Sequence, residues 1–125
     1  MTSDKHGITT LKKRADFLSI RRHGRAYIST SLILGTLDVQ KRLDKSDHRL
    51  HIGYTATKKI GKAVVRNRAK RRLRALARCM LVQHALHHRY YVLIAKKNII
   101  KAQFSELEKE LERCMHALNV YKRHI

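Results

Sequence analysis

Residues 62–74 read Lys-Ala-Val-Val-Arg-Asn-Arg-Ala-Lys-Arg-Arg-Leu-Arg, and this stretch decides how the chain folds. At 100° per residue, a helix here would place its apolar and its polar side chains on opposite faces. The predicted apolar face comprises Val65, Ala69, Leu73, Leu76 and Met80. The predicted polar face comprises Asn67, Lys70, Arg71, Arg74 and Arg78. One face can therefore pack on a core while the other meets a partner.

The charge around this helix has one sign. From Lys58 to Arg78 the chain holds ten Lys or Arg residues and no carboxylate. Like charges one helical turn apart are destabilising, so a solvated helix face normally mixes signs. A basic face without acids therefore predicts an anionic partner.

The whole chain is basic, with a formal net charge of +20 over 125 residues. No acidic residue lies between Asp47 and Glu106, and four of the nine acids lie at 106, 108, 110 and 112. Such self-repulsion costs stability, but a protein that releases counterions from a polyanion gains affinity from it. Nucleic acid is the first candidate partner and a membrane surface the second. The sequence contains no long apolar run and no signal-peptide core, so neither a membrane span nor export is expected.

Length and composition predict a single domain over residues 1–125, with residues 1–10 as a flexible basic arm. Cys79 and Cys114 have neither metal-ligand nor disulfide spacing. We expect both to be small core residues of a cytoplasmic protein, where thiols stay reduced.

Periodicity predicts an α/β fold in the order α-β-β-β-α-β-α. A short helix is expected from Ala15 to His23. β-prone residues follow from Tyr27 to Val39, then a loop over residues 40–48. Alternation from Leu50 to Ala56 predicts a half-buried strand.

The second half of the chain continues this pattern. Gly61 is the predicted N-cap of the basic helix. Residues 90–95 form a brief apolar run typical of a central strand. A last helix is expected to bury one face, formed by Phe104, Leu107, Leu111, Cys114 or Met115, and Leu118.

The centre of the chain resembles the signature of the protein subunit of bacterial ribonuclease P. The matching residues are Thr57-Lys-Lys-Ile-Gly61, Ala63-Val64 and Arg66-Asn-Arg-Ala-Lys-Arg-Arg-Leu-Arg74. Ala15-Asp-Phe17 with Gly24, and Tyr-Tyr-Val-Leu-Ile-Ala at 90–95, stand where that family has its first helix and last strand. The resemblance spans about Leu11 to Leu118. It implies an α/β sandwich akin to a ribosomal-protein domain, with a left-handed crossover that carries the basic helix between two parallel strands.

The resemblance also implies a function. A protein of this family joins a catalytic RNA that removes the 5′ leader from precursor tRNA, with Mg²⁺ held by the RNA. The implied partners are that RNA subunit and precursor tRNA, without a membrane or an obligate protein partner. The residues agree with a catalytic RNA, because the basic centre offers no carboxylate that could hold Mg²⁺. No catalytic or metal-binding residue is therefore expected in the protein itself.

Two other functions are compatible with the residues alone. A ribosomal or ribosome-associated RNA-binding protein shares the charge, size and fold type. A helix-turn-helix DNA binder is third, and the strands predicted on both sides of the basic helix disfavour it.

The family motif indicates which residues bind RNA: Lys58, Lys59, Arg66, Asn67, Arg68, Lys70, Arg71 and Arg74. The cations are expected to contact phosphates, where the forked guanidinium of Arg fits best. Asn67 leaves two interpretations. Its amide can bond a base, a 2′-hydroxyl or a metal-bound water, or it can make a capping contact within its own helix.

The family further implies a cleft between the first helix and the sheet that receives the single-stranded leader. Phe17 matches its aromatic floor, on which any base can stack, although a plain core role is the other interpretation. Many members have a second aromatic residue where this chain has Arg21, and an aromatic in the second strand where it has Gly35. Arg21 can stack and also pair with phosphate, whereas Gly35 can do neither.

Three histidines, His84, His87 and His88, have the spacing of metal ligands on a helix. No second ligand cluster accompanies them in the sequence. A solvated helix end or loop is the favoured interpretation, and no metal site is expected.

Overall fold

The computed structural model describes residues 7–122, which form a mixed α/β fold. The strands are β1 (Ile8–Thr10), β2 (Arg25–Ile28), β3 (Leu32–Asp38), β4 (Leu50–Thr55) and β5 (Arg89–Ala95). The helices are α1 (Arg14–His23), α2 (Ala63–Leu76), α3 (Val82–His84) and α4 (Phe104–Ala117). A π-helical turn, Ala77–Leu81, joins α2 to α3, and 3₁₀ turns lie at Lys58–Ile60 and Lys97–Ile100. From α1 onwards, the predicted order is confirmed.

The strands form one sheet in the order β1-β4-β5-β3-β2. Strands β1, β4 and β5 run parallel, whereas β3 is antiparallel to β5 and β2 is antiparallel to β3. Parallel neighbours β4 and β5 are therefore joined through α2, as in the crossover implied by the family. Its left-handed sense stays a prediction.

Each face of the sheet has its own core. Alternate residues of β5 point to opposite faces, with Tyr91, Leu93 and Ala95 on one and Val92 on the other. The first face, here called the α2 face, is covered by α2 and α4 and carries the larger core. The second, here called the α1 face, is covered by α1. The sheet thus separates the basic helix α2 from α1.

Strand β1 contradicts part of the flexible arm predicted for residues 1–10. Ile8 and Thr10 pair in parallel with Leu50 and Ile52, and Ile8 is 2% exposed. A three-residue strand is too short to show a hydrophobic period, which is why the sequence did not reveal it. Residues 1–6 of the predicted arm lie outside the described residues.

Strand β4 is more buried than its alternation indicated. Leu50 and Ile52 face the larger core as predicted, but His51 and Gly53 on the other side are buried too. Neighbouring strands flank β4 on both edges, and the Phe17 ring lies over Gly53. The prediction of a half-buried strand was therefore wrong, because a histidine and a glycine conceal burial in a hydrophobicity pattern.

The start of α2 also differs from the prediction. The N-cap is Lys62, whose side chain makes no capping hydrogen bond, rather than Gly61. Gly61 instead follows the 3₁₀ turn with a φ of +147°, a conformation that L side chains rarely adopt. The glycine therefore sets the direction in which the chain enters the basic helix.

The two cysteines have different environments. Cys114 is buried in α4 as predicted, and burial raises the pKa of its thiol to about 11. Cys79 is exposed, so its predicted core role was wrong. It lies beside the buried stripe that Leu76 and Leu81 form, rather than on it.

A buried carboxylate ties α4 to the turn between β2 and β3. Glu110 accepts hydrogen bonds from Ser29 Oγ at 2.6 Å, from Ser31 N at 2.7 Å and from Ser31 Oγ at 2.7 Å. Burial alone would raise the pKa of Glu110, but these hydrogen bonds and nearby Arg113 hold it below the ordinary value. The ionised carboxylate therefore stabilises the turn.

We predict that Glu110→Gln lowers the free energy of unfolding by about 2–4 kcal/mol at pH 7, because the charge-assisted hydrogen bonds are lost. Since the folded state lowers the pKa of Glu110, the advantage of the wild type is complete above about pH 4.5 and declines as the pH falls below it. Melting curves from pH 7 to 3 measure this, with the exposed Glu112→Gln as the control. Equal melting of the two variants at pH 7 would contradict the prediction.

Candidate RNA interface

Helix α2 presents the two faces that its sequence predicts. Ala69, Leu73 and Leu76 are fully buried, and Val65 and Met80 pack partly buried against the same core. On the opposite side, Asn67, Arg71, Arg74 and Arg78 are exposed, and Lys70 is half-buried. The basic stripe is therefore solvent-facing.

Two arginines of α2, Arg66 and Arg74, are held by neutral partners. Arg66 Nε donates to the Ala56 carbonyl at 3.3 Å, just beyond the end of β4. The Arg74 guanidinium lies over the Tyr54 ring, 5.3 Å from its centroid. Because neither partner carries a charge, both arginines keep their full positive charge for an anion.

Arg72 is anchored on the other flank of α2. Its Nη1 donates to the carbonyls of Ile99 at 2.6 Å and Ile100 at 3.3 Å, in the 3₁₀ turn before α4. The sequence-based set of RNA-binding residues omits Arg72, which also lies outside the predicted polar face of α2. The contacts indicate a structural role.

The other motif residues are open to solvent. Lys58 and Lys59 are exposed on the turn before α2, and Arg68 is exposed on α2. The Asn67 side chain makes no hydrogen bond to any residue within 7–122, and it lies a full turn beyond the N-cap Lys62. A capping role for Asn67 is thus without support among the described contacts, and its amide is free for a partner.

A cleft of about 380 Å³ opens on the α1 face. It lies between α1, which contributes Phe17, Ile20 and Arg21, and a floor formed by β2, β3, β4 and β5. Phe17 is half-buried: its ring lies over Gly53 and packs against the smaller core, while it also lines the cleft. The two interpretations of Phe17 are therefore compatible. Arg21 is exposed and lines the same cleft.

Gly35 lies in the floor of this cleft, beneath α1. A Cβ at this position would lie 2.7 Å from Val92 Cγ1 and 3.3 Å from Ile20 Cγ2, so the present packing has no room for an aromatic ring. The absence of an aromatic in β3 is thus built into the contact of α1 with the sheet.

A row of one threonine and three isoleucines runs along the floor instead. Strand register aligns Thr55, Ile94, Ile33 and Ile28 side by side across four strands. The first three line the cleft, and Ile28 at the sheet edge is 66% exposed. The sequence did not reveal this row, because its members come from four separate segments.

Histidines near the end of α3 contact aromatic rings and a lysine rather than forming a ligand cluster. The ring of His84 stacks on Tyr121 at 4.8 Å between centroids, and His116 stacks on the same tyrosine at 4.3 Å. His87 Nε2 lies 3.2 Å from Lys122 Nζ, and burial together with this charge lowers the pKa of His87. Within residues 7–122, no group of three or more His, Cys, Asp or Glu side chains could hold a metal ion.

Among residues 7–122, no helix is both long and apolar enough to cross a bilayer.

Comparison with known proteins gives one consistent family. A profile of the family described as Ribonuclease P matches residues 7–119. The ribonuclease P protein component of Brucella melitensis biotype 1 is 34% identical over 113 residues, covering 87% of this chain and 79% of the relative. That of Gluconacetobacter diazotrophicus is 39% identical over 110 residues, covering 88% and 90%.

Two solved structures share the fold. The RNase P protein of Staphylococcus aureus superposes with a TM-score of 0.72 at 24% identity, covering 90% of this chain and 97% of the other. That of Thermotoga maritima gives a TM-score of 0.68 at 22% identity, covering 84% and 93%.

Neighbouring arginines on α2 are predicted to behave differently when mutated. Arg72→Gln removes two carbonyl contacts and should lower the free energy of unfolding by about 1–3 kcal/mol. Arg71→Gln removes the same charge from an exposed position, so it should reduce RNA affinity more than Arg72→Gln does and leave the melting temperature at least as high. Melting curves and RNA titrations at fixed salt test both. An Arg72 variant that melts like the wild type would show that the carbonyl contacts contribute nothing.

Proposed function

This chain belongs to the ribonuclease P protein family, and from that membership we propose which of its surfaces contacts which RNA. It is an RNA-binding protein component of the ribonuclease P holoenzyme, which processes tRNA, and it is not itself the catalytic part. The family match favours this function over a ribosomal protein or a helix-turn-helix DNA binder. One observation carries the proposal: α2 presents a row of cations that form no ion pair with any carboxylate of residues 7–122.

We assign this α2 surface to the catalytic RNA subunit. Arg68 and Arg71 are exposed, and Arg66 and Arg74 keep their charge despite their neutral contacts. Guanidinium groups held in place lose less freedom when they bind phosphate, which favours a defined docking geometry. Asn67 lies among them and supplies the neutral donor and acceptor.

We assign the catalytic Mg²⁺ to RNA rather than to this protein. Mg²⁺ prefers oxygen ligands, and the basic segment offers Lys, Arg and one amide. The Asp47 carboxylate is already engaged: burial raises its pKa, but hydrogen bonds from Arg49 and His51 outweigh burial and lower it to about 2. Glu110 is likewise occupied by Ser29 and Ser31. The donor set of this chain therefore does not fit a Mg²⁺ site at the basic surface.

We assign the cleft on the α1 face to the unpaired 5′ leader of precursor tRNA. Phe17 offers a stacking surface that accepts any base, and Arg21 adds a charge that can pair with phosphate. Base stacking without base-specific hydrogen bonds suits a substrate whose leader sequence varies.

The two assigned surfaces meet at the end of β4. Thr55 lines the cleft, and the carbonyl of the next residue, Ala56, accepts the hydrogen bond from Arg66. The tRNA-proximal end of a leader lying in the cleft would therefore lie beside the basic helix. This continuity supports simultaneous contact with precursor tRNA and the RNA subunit.

We further infer that the protein acts in the cytoplasm, where its RNA partners are made. Cys79 and Cys114 are both free thiols, which is consistent with a reducing compartment.

Affinity for the RNA subunit is predicted to fall steeply with salt. At least six phosphate contacts by the basic segment imply a slope of log affinity against log salt of magnitude about 4 or more. Arg68→Gln with Arg71→Gln should reduce that magnitude by about 1.4, since two counterion-releasing contacts are lost. Titrations over a range of salt concentrations measure the slope, and a nearly flat dependence would exclude the electrostatic interface.

The two surfaces are predicted to separate by mutation. Arg66→Ala with Arg68→Ala should weaken assembly with the RNA subunit. Phe17→Leu should leave assembly nearly intact and reduce the preference for a leader-bearing precursor over mature tRNA, because stacking acts only on unpaired bases. Reconstitution with the RNA subunit, followed by binding of both ligands, gives both readouts.

Stability is the control for these variants. Arg66 bonds the Ala56 carbonyl and Phe17 packs against core residues, so melting curves must accompany the binding data. Leu rather than Ala at position 17 limits the loss, since removing a buried Phe can cost about 3–5 kcal/mol. A folded Phe17→Leu protein with the full preference for the leader would remove Phe17 from the leader site.

A further inference from the structure

A second depression lies at the tip of the β2–β3 hairpin, beyond the cleft. It has a volume of about 370 Å³ and is lined by Tyr27, Ile28, Ser29, Thr30, Lys96 and Arg113. None of these residues belongs to the sequence motif or to the cleft described above. We call this depression the hairpin-tip pocket.

The pocket is built on a rigid turn. Besides the bonds to Glu110, Ser29 N donates to the Leu32 carbonyl at 2.8 Å. Lys96 Nζ donates to the Ser29 carbonyl at 2.9 Å, and Asn98 donates to Ser31 Oγ at 2.8 Å. An exposed hairpin tip held by a buried carboxylate and by the segment that follows β5 is preorganised, which lowers the entropy lost on binding.

The chemistry of the pocket matches a nucleotide. The Tyr27 side chain is 42% exposed and offers an aromatic surface. Arg113 forms no hydrogen bond or ion pair within 4.0 Å to the residues described here, and Lys96 retains two N–H groups beyond its bond to Ser29. An aromatic ring beside two cations can bind a base and its phosphates.

The row of Thr55, Ile94, Ile33 and Ile28 links this pocket to the cleft. From Thr55 through Ile94 and Ile33 to Ile28, the row crosses three strand spacings, or about 14 Å. Its exposed end, Ile28, also lines the hairpin-tip pocket. An unpaired strand spans that distance in a few nucleotides. Tyr27 pairs with Leu34 and so lies on the α2 face, near Arg113 of α4, and a strand that passes from the row to the pocket must turn around the β2 edge of the sheet.

We propose that the hairpin-tip pocket is a distal subsite for the unpaired leader, with a base on Tyr27 and phosphate on Arg113 and Lys96. This inference rests on the proposed function, because it extends the path of a leader that lies in the cleft. Leader nucleotides nearest the tRNA occupy the cleft, and those further upstream reach the pocket.

The test is a series of precursor tRNAs whose leaders lengthen by one nucleotide, bound to the reconstituted holoenzyme. For the wild type, affinity should rise first as the cleft fills and again as the leader reaches the pocket. Tyr27→Leu with Arg113→Gln should abolish the second rise, about five- to tenfold in affinity, and leave the first unchanged. Tyr27→Phe should keep the second rise, because the ring is retained.

Controls separate this effect from changes in charge and folding. Arg42→Gln removes the same charge as Arg113→Gln from the exposed loop at the other end of β3, and it should keep both rises. Equal melting temperatures of wild type and double variant exclude a folding defect, and Arg113→Gln alone replaces the double variant if that protein is unstable.

Two failures can be told apart. A first rise without a second in the wild type, or a second rise that survives in Tyr27→Leu with Arg113→Gln, would overturn the distal subsite and leave the leader cleft standing. No dependence on leader length in the wild type would overturn both the cleft assignment and the subsite.

Discussion

Repulsion between the like charges of α2 must be offset by contacts elsewhere in the fold. A helix with this many cations and no acids gains nothing from ion pairs along its own surface. The ion pairs found among residues 7–122 involve Asp47 and Asp38, and none reaches α2. The helix is held instead by its buried stripe and by carbonyl and aromatic partners for Arg66, Arg72 and Arg74. Anchoring cations on neutral groups preserves the potential that an RNA would feel.

The sheet gives the protein two different faces, with the charged helix α2 on one and α1 on the other. Because β4 and β5 are buried on both faces, α1 and α2 are kept on opposite sides at a fixed distance. Each side then has its own chemistry: exposed positive charge on one, and an apolar floor with one aromatic ring on the other. The two sides meet at the end of β4, where Thr55 lines the cleft and the Ala56 carbonyl accepts the hydrogen bond from Arg66.

Strong local patterns made the larger elements predictable. The faces of α2 and α4 follow a helical period, and β5 is a short apolar run, so the sequence predicts all three correctly. What the sequence missed depends on contacts between distant segments. Strand β1 exists because it pairs with β4, forty residues away, and Glu110 is buried because Ser29 and Ser31 supply its donors. The sequence-based set likewise leaves out Arg72, but only the structure shows why: its guanidinium donates to the Ile99 carbonyl.

The absence of acids from residues 48–105, which include all of α2, also bears on how much of this protein a cell can keep. A folded state strained by its own charge gains stability by mass action when a polyanion binds it. Copies made in excess of the RNA would unfold more often and expose themselves to proteases, whereas assembled copies would be protected. The charge pattern of one helix would in this way match the amount of protein to the amount of its RNA, without a dedicated regulator.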